Sequence, residues 1–443
     1  MKKFLALILA LAMVFALAAC GQSAAPAAQE AAPAEAAAPA EAAAPAEKIT
    51  INFPCIWVGT DSKAPYFKEL VDSFNAENEG SIEVVIEEQT DYQAYRDKIR
   101  TLVTAGEVPD ICTMDTLADV GLYTASGKFM DLTPYLDAGW RDNFAAGTFD
   151  SFTYDGVTSA IPFESAIFPI VYNVEILKEA GWDTFPTNWD EMFEMFDDIK
   201  AAGYNAVGQM AGENAWSSML WYSSLVQAIG GQEAFENGLS DPAFVEAADV
   251  LKRMYDYTFD GAISAGAADV NGHWIARDTA LYLNGPWWIG NLYKEDNAKD
   301  GVLLADVCEV ATNPEWVGGK GQGGLVTTVQ SFILAAKQSD PAKEAAVVKF
   351  LQYITEPDHM QAWSASAGSM FFANYEPSAD TTVIAQKFAE IKKDADFTVL
   401  HVTANFGPAY ETAFPAAVSA LVLGQVDAQG FVDELQTAID NAA

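Results

Sequence analysis

The sequence is poor in basic residues. Its 443 residues contain 24 Lys and Arg against 62 Asp and Glu, which gives a formal net charge of -38. So negative a chain repels the phosphates of nucleic acids and the headgroups of anionic lipids, and we therefore expect no nucleic-acid partner and no electrostatic docking on a membrane. The charge favours neutral or cationic solutes as ligands. Hydrophobic residues make up 51% of the chain, so most of it can fold around large cores.

Histidine is scarce too, and this argues against metal and hydrolase chemistry. His273, His359 and His401 lie far apart without ligand spacing, and the sequence contains no H-E-x-x-H, no G-x-S-x-G and no phosphate-binding G-x-x-x-x-G-K-[ST]. Residues 319–324 match G-x-G-x-x-G, but a strand-like segment follows them where a dinucleotide site needs a helix. We expect a flexible crossing loop there, no cofactor and no metal.

A membrane-length apolar run is absent after residue 20, so the chain is not itself a permease. Before that point, Lys2 and Lys3 precede an apolar run at residues 4–16 that is typical of a secretory signal. Residues 17–20, Leu-Ala-Ala-Cys, resemble the lipobox of bacterial lipoproteins, which predicts lipid attachment at Cys20. The alternative is an ordinary cleaved signal with an incidental cysteine.

The segment after the lipobox is predicted to be a tether. Residues 21–47 consist mainly of Ala, Pro and Glu. Regular prolines prevent a long helix and the acids repel one another, so the segment should be extended, over roughly 80 Å at most. Together with residues 1–20 as signal peptide and lipobox, it would hold the folded body at the outer face of the cytoplasmic membrane.

Cysteine is rare in the body of the chain. Cys55, Cys112 and Cys308 are the three that follow Cys20. An odd number cannot all pair, and no Cys or His ligand spacing is present. We expect buried, reduced side chains, with a Cys55–Cys112 disulfide as the alternative.

From Lys48 onward the pattern is α/β. Alternating and helical spacings succeed one another as strand, helix, strand, helix and strand, which predicts a parallel sheet whose ligands lie beyond the carboxyl ends of the strands. Further helices are predicted to begin at Asp241-Pro242 and Asp340-Pro341. The segments of the first unit are residues 49–55, 67–74, 82–86, 95–103 and 110–112.

Tryptophans beside turns are the most informative side chains. A flat aromatic face stacks on the CH face of a sugar, while carboxylates and amides bind its hydroxyls, although any single Trp can equally belong to a core. Glu164 lies in an apolar segment that we interpret as a loop, where it is either a loop acid or an acceptor for ligand hydroxyls. The tryptophans in question are Trp57, Trp216, Trp221, Trp287 and Trp288.

Four segments in this order resemble one family. They are residues 108–115, 201–216, 283–292 and 323–355, of which the Asn284-Gly285-Pro286-Trp287 segment is the most specific. Because of these segments, the chain resembles the extracellular solute-binding proteins of family 1. These are the sugar-binding lipoproteins of ABC importers, which are distantly similar to maltose-binding protein. The resemblance covers nearly all of residues 48–443.

The resemblance implies an α/β fold with two lobes of the periplasmic-binding-protein type II class, joined by hinge crossovers and holding ligand in a cleft between them. The N-terminal lobe would take residues 48–160 plus 323–373, and the C-terminal lobe residues 161–322 plus 374–443. No bond would be made or broken. The implied partners are a carbohydrate, either an oligosaccharide or an aminosugar, and the membrane subunits of a permease, with the receptor acting as a monomer.

The implied ligand-binding residues come from both halves of the chain. Trp287 matches the family's stacking position, and it is open whether Trp287 or Trp288 faces the cleft. Three alternatives are kept: a receptor for a cation such as a polyamine, a glycosidase that uses Glu164, and a purely adhesive surface protein. The predicted ligand-binding set is Trp57, Asp61, Asp115, Glu164, Trp216, Asn284, Trp287 and Tyr410.

Overall fold

Helices and strands alternate along the computed structural model, which describes residues 48–59, 61–144 and 147–442. The predicted signal, Cys20 and tether lie outside the described residues. The strands are β1 Ile49–Cys55, β2 Ile82–Glu88, β3 Ile111–Met114, β4 Thr153–Tyr154, β5 Val157–Thr158, β6 Ala160–Ile167, β7 Ile170–Asn173, β8 Asn205–Val207, β9 Thr279–Leu283, β10 Cys308–Ala311, β11 Gly324–Ala335, β12 Met370–Phe371 and β13 Phe397–Leu400. The helices are α1 Ala64–Glu77, α2 Tyr92–Ala105, α3 Val120–Ala125, α4 Thr133–Asp137, α5 Val174–Glu179, α6 Trp189–Ala201, α7 Trp216–Asn237, α8 Pro242–Met254, α9 Ala267–Ala276, α10 Ile289–Leu292, α11 Pro341–Ile354, α12 Pro357–Ala367, α13 Val383–Asp394, α14 Val402–Val422 and α15 Ala428–Ala442.

Local signals place several helix ends. Asp241 and Asp340 each accept a hydrogen bond from a backbone amide two residues later, at 3.0 and 2.9 Å, and proline follows at the first helical position. Both predicted starts are confirmed. Helix α2 begins with Asp91, which accepts from the Ala94 amide, and ends at Gly106 in the left-handed conformation (φ 80°).

One group of elements, which we call the first lobe, comprises β1–β5, α1–α4, α11 and α12. Strands β1 and β2 pair in parallel, with Ile49 opposite Ile82, as expected. Strand β3 differs from the prediction, because its backbone partner is β11 and the pairing is antiparallel. Strands β1 and β2 therefore form a two-stranded sheet of their own, and β3 belongs to the five-stranded sheet that contains β6 and β11. Its core contains the aromatic residues Phe53, Trp57, Phe67, Phe163 and Trp363.

A second group, the second lobe, comprises β7–β10, β13, α5–α10 and α13–α15. Its sheet has the strand order β10-β7-β9-β8. The largest core cluster of the described residues lies here, formed mainly by the apolar faces of α6, α7, α8, α14 and α15. Among the described helices, none combines the length and the apolar character needed to cross a bilayer.

Strands β6 and β11 are common to both lobes. They pair with each other antiparallel, and β11 also pairs with β3 of the first lobe through residues 332–335 and with β13 of the second through residues 324–327. This is the position expected of hinge crossovers. The register between β6 and β11 shifts on either side of Ser331, which lies opposite Glu164. The lobe boundaries given above stay predictions.

Residues 319–324 do not form the flexible crossing loop that we expected. The loop packs on α7, where the Lys320 amide donates to the Ile229 carbonyl at 3.0 Å and the Gly321 amide to the Ala228 carbonyl at 3.2 Å. A side chain at Gly321 would overlap the carbonyl oxygen of Gln227. The glycines are therefore needed for close backbone approach.

The three cysteines of the body are free and buried, so the Cys55–Cys112 disulfide alternative is wrong. Burial raises the pKa of the Cys112 thiol to about 12 and that of Cys308 to about 12. Both are consequently protonated and unreactive near neutral pH. Within the described residues, no group of three or more His, Cys, Asp or Glu side chains could hold a metal ion.

Candidate functional site

Two adjoining cavities are lined by residues of both lobes and of the hinge strands. Cavity A has a volume of about 900 Å³ and is lined by the segment after β1, by Glu164 and Ser331, and by Trp287 and Trp288. Cavity B has a volume of about 720 Å³ and is lined by the start of α2, the segments after β3 and before α7, and part of α14. Three residues line both cavities and mark their junction, namely Tyr92, Trp287 and Gln330.

The Asn284-Gly285-Pro286-Trp287 segment presents the half-buried indole at this junction. The Asn284 side chain accepts from the Gly285 amide at 2.8 Å and donates to the Tyr282 hydroxyl, which fixes the turn after β9. A side chain at Gly285 would overlap the Trp287 ring, so this glycine lets the indole fold back over the backbone. Asn284 does not line either cavity. It therefore supports the platform rather than contacting a ligand there.

The indole of Trp216 stands beside that of Trp287. It is half-buried, lines cavity B and begins α7, and its ring centroid is 6.0 Å from that of Trp287. His401 packs against it at 4.8 Å between centroids, and Phe168 lies 6.0 Å away. Both platform tryptophans therefore belong to the second lobe. The first lobe contributes Tyr92, which is 39% exposed and lines both cavities.

His401 lies behind Trp216 and should make the fold sensitive to acid. Burial lowers the pKa of His401 to about 3, whereas an imidazole in an unfolded chain titrates near 6.5. As the pH falls below about 6.5, His401 therefore binds a proton in the unfolded chain but stays neutral in the folded state. This difference alone should lower the free energy of unfolding by about 2 kcal/mol at pH 5. We expect the melting temperature to fall less between pH 8 and pH 5 in His401→Gln than in the wild type. A His273→Gln variant, which keeps His401, should retain the larger fall; equal falls in the wild type and His401→Gln would contradict this role.

An ionic group forms one wall of cavity A. The Lys63 ammonium lies 3.2 Å from Asp61 and 3.4 Å from Glu164, and both Lys63 and Glu164 are almost completely buried. Burial alone would lower the pKa of Lys63, but the two carboxylates outweigh it and hold the pKa above its usual value. Burial also raises the pKa of Glu164, against the opposing effect of Lys63. Glu164 lies in strand β6, so our interpretation of this segment as a loop is wrong.

Asp115 lies in cavity B, where it was expected to accept ligand hydroxyls. One of its oxygens is 3.2 Å from Nε of Arg96, and the other accepts from the Tyr92 hydroxyl. Arg96 also contacts Glu411 of α14 at 3.3 Å. The carboxylate of Asp115 is therefore held in place by protein donors, and an incoming hydroxyl would have to share its lone pairs with them.

Two of the expected ligand contacts lie in the cores. Trp57 lines cavity A but is only 1% exposed, because its ring stacks on Phe163 at 4.5 Å and is surrounded by further aromatic rings. Tyr410 is fully buried between Phe406 and Phe414, because its side chain points into the second-lobe core. Burial therefore argues against a direct ligand contact by either ring, and most clearly for Tyr410, which lines neither cavity.

Exposure also decides which of the other tryptophans can present a ring face to a ligand. Trp288 lines cavity A but is 8% exposed and packs against Tyr282, whereas Trp287 is half-buried and reaches both cavities. Trp287 is thus the better placed platform. Trp221 is fully buried in the second-lobe core. The structure brings Asp61, Glu164 and Trp287 together around cavity A, and Asp115, Trp216 and Trp287 around cavity B.

The sequence analysis missed several residues of the cleft. The missed residues are Lys63, Tyr92, Arg96, Gln330 and Glu411. Tyr92 directly follows the loop beyond β2, so the rule that ligands lie beyond carboxyl ends could have found it. The other four have no local pattern that distinguishes them from surface or core residues.

Comparisons with known proteins agree with this architecture. The family model for bacterial extracellular solute-binding proteins matches residues 69–387. A putative binding protein of Brucella abortus is 26% identical over 358 residues, covering 78% of this chain and 80% of the relative. An arabinooligosaccharide-binding protein of Halalkalibacterium halodurans is 23% identical over 315 residues, covering 65% of this chain and 68% of the relative. A solved chitin oligosaccharide binding protein superposes with a TM-score of 0.80 at 19% identity, covering 89% of this chain and 99% of that one.

These likenesses establish the fold as the two-lobe α/β fold of solute-binding proteins. They also decide against the glycosidase alternative, since the family and the structural neighbours are not enzymes. The family is extracellular, which places the protein outside the cytoplasm. Because the family model covers most of the chain, the chain belongs to the bacterial extracellular solute-binding proteins.

Proposed function

We propose that the protein captures an uncharged oligosaccharide in cavities A and B and delivers it to the membrane permease of an ABC importer. The observation that carries the proposal is the pair of half-exposed indoles, Trp216 and Trp287, at the junction of two cavities whose walls contain carboxylates. Aromatic faces bind the CH faces of sugar rings, and carboxylates bind hydroxyls. An arabinooligosaccharide-binding relative supports the same ligand class.

The size of the cleft favours a ligand of more than one ring. Each cavity lies within the range of about 300–1,000 Å³ that holds a drug-sized ligand, and the two meet at Trp287. Lining residues come from both lobes, so a ligand that spans the cleft contacts both when the lobes approach. A preference of about 5.5 kcal/mol for the closed form is enough to move a 1:99 balance to 99:1.

A thermal-shift screen tests this function. We expect a neutral oligosaccharide to raise the melting temperature of the soluble body, residues 48–443, because a ligand that binds only the folded state adds about 2.7 kcal/mol of stability at 100 times its Kd. The screen should include xylo-, arabino-, malto- and chito-oligosaccharides, with the monosaccharides as controls. If no glycan shifts the melting temperature while another solute does, the carbohydrate proposal is wrong.

A cationic solute is the second candidate. Among the described residues lining cavity B, four carry carboxylates and one, Arg96, carries a guanidinium; the acids are Asp91, Asp115, Glu213 and Glu411. Such a wall attracts an amine, which also interacts favourably with indole faces. Spermidine and glucosamine oligomers therefore belong in the same screen. A shift with spermidine and with no glycan would decide for this candidate.

We further infer that the mature chain is a monomer anchored through lipid on Cys20 at the outer face of the cytoplasmic membrane. The inference is supported by the Leu-Ala-Ala-Cys segment at residues 17–20 and by the Ala-, Pro- and Glu-rich segment that follows. Two or three acyl chains, at about 0.8 kcal/mol per buried CH2, give lasting attachment. Mass spectrometry of the mature N-terminus tests it, because an unmodified residue 20 or a start elsewhere would contradict the anchor.

A further inference from the structure

Arg96 is the one basic residue among the described residues that line cavity B, and it is only 6% exposed. Its guanidinium makes contacts in two directions. Nε lies 3.2 Å from Asp115, while the two terminal nitrogens lie 3.3 and 3.5 Å from the two oxygens of Glu411. One terminal nitrogen also donates to the Thr116 hydroxyl at 3.1 Å. A planar guanidinium suits such a fork of contacts, which an ammonium could not reproduce.

The two carboxylates belong to different lobes. Asp115 follows β3 in the first lobe, and Arg96 itself lies on α2, whose Tyr95 packs in a first-lobe core. Glu411 lies on α14, whose neighbouring Tyr410 packs in the second-lobe core. The Arg96–Glu411 ion pair therefore joins two separate cores across the cleft, between residues 315 positions apart in the chain.

The charge around this contact makes Arg96 necessary for close approach of the lobes. Without it, the Asp115 and Glu411 carboxylates would both line cavity B with no cation among the described residues of its wall. Like charges brought together at a poorly hydrated surface oppose closure. Arg96 pairs with Asp115 on its own lobe in either arrangement, whereas Glu411 gains a charge-assisted partner when the lobes come together and loses it when they separate.

We propose that Arg96 is a positioning residue that latches the cleft: it fixes Asp115 on its own lobe and, by pairing with Glu411, favours the closed arrangement before any ligand is bound. The latch acts at the site of the proposed function. Its effect on ligand release rests on that function, whereas its effect on the approach of the lobes does not. Because the apparent affinity of a ligand scales with the fraction of protein in the binding-competent arrangement, a latch that raises this fraction tightens binding without touching the ligand.

The Glu411→Gln variant tests the latch, because it removes the second-lobe charge and leaves the Arg96–Asp115 pair in place. Small-angle X-ray scattering of the ligand-free protein should show a larger radius of gyration for Glu411→Gln than for the wild type. The matched control is Glu434→Gln, the same change at an exposed position of α15, which should leave the radius of gyration unchanged. An unchanged radius in Glu411→Gln would overturn the latch.

Ligand release supplies the second readout. For an oligosaccharide found in the thermal-shift screen, the dissociation rate from Glu411→Gln should rise about fivefold, as expected for loss of one partly exposed ion pair. The Glu434→Gln control should release the sugar at the wild-type rate. A larger radius of gyration in Glu411→Gln together with no carbohydrate binding by the wild type would overturn the proposed function and leave the latch standing. Carbohydrate binding by the wild type, with an unchanged radius of gyration and release rate in Glu411→Gln, would overturn the latch and leave the proposed function standing.

Discussion

Truncating Trp287 to alanine should weaken oligosaccharide binding about thirtyfold or more, which corresponds to the roughly 2 kcal/mol that a buried aromatic anchor contributes. The expected loss follows from position, because this indole lines both cavities at their junction and lies 6.0 Å from the ring of Trp216. Titration calorimetry with an oligosaccharide from the screen measures it. The fold should survive, since the ring is half-buried rather than part of a closed core.

Trp182→Ala is the matched control for this variant. Trp182 is also half-buried on the second lobe, where its indole nitrogen donates to Asp198 at 3.0 Å, and it does not line cavity A or B. Its truncation should lower the melting temperature and leave the sugar affinity at the wild-type value. Equal affinities of Trp287→Ala and Trp182→Ala would remove Trp287 from the binding site.

Gly321→Ala should destabilise the fold by about 3 kcal/mol, the upper range for forcing an added methyl group into a packed position. The new Cβ would overlap the Gln227 carbonyl oxygen and the Cα of Ala228, which are backbone atoms that no side-chain rotation can move aside. Relief would require the loop to lift from α7 and lose its hydrogen bonds to the Ala228 and Ile229 carbonyls. We expect the melting temperature to fall by several degrees.

Gly272→Ala provides the comparison at a glycine without close neighbours. Gly272 lies within α9, Ala267–Ala276, and a Cβ there would meet no atom within 4 Å. Alanine in a helix is more favourable than glycine by about 1 kcal/mol, so this variant should melt at the wild-type temperature or above it. If Gly321→Ala were as stable as Gly272→Ala, the loop would not be packed on α7 as described.

The parts of the fold that could be predicted from sequence depend on local chemistry. Asp241 and Asp340 cap their helices through contacts two residues away, and Gly106 ends α2 because it adopts a positive φ at little cost. The pairing of β3 with β11 could not be anticipated, because it joins segments separated by more than two hundred residues. Backbone pairing over such a distance leaves no periodic signal in either strand.

The sequence could not predict which tryptophan side chains are exposed in the cleft. Trp57 follows a strand and precedes a glycine, as a platform residue would, yet its ring inserts among Phe53, Phe67 and Trp363 from other parts of the lobe. Sequence position alone does not say to which side of the chain a ring turns. The half-buried state of Trp216 and Trp287 likewise depends on the packing of the second lobe.

Tyr410 was expected to contact the ligand, but it is the next residue, Glu411, that lines the cleft. Successive side chains on a helix point about 100° apart, so Tyr410 enters the core while Glu411 lines cavity B. The helix is kinked at Gly407, where φ is 79°, and this resets the direction of the turns that follow. The pairing of Glu411 with Arg96 then depends on how the lobes approach, which no local pattern encodes.

A crystal structure of the soluble body with an oligosaccharide from the screen tests the central claim most directly. We predict that a sugar ring lies flat against the indole of Trp287, with further contacts to Trp216 in cavity B and to Asp61 or Glu164 in cavity A. A ligand bound outside the two cavities, or one that occupies them without any ring on either indole, would contradict the account.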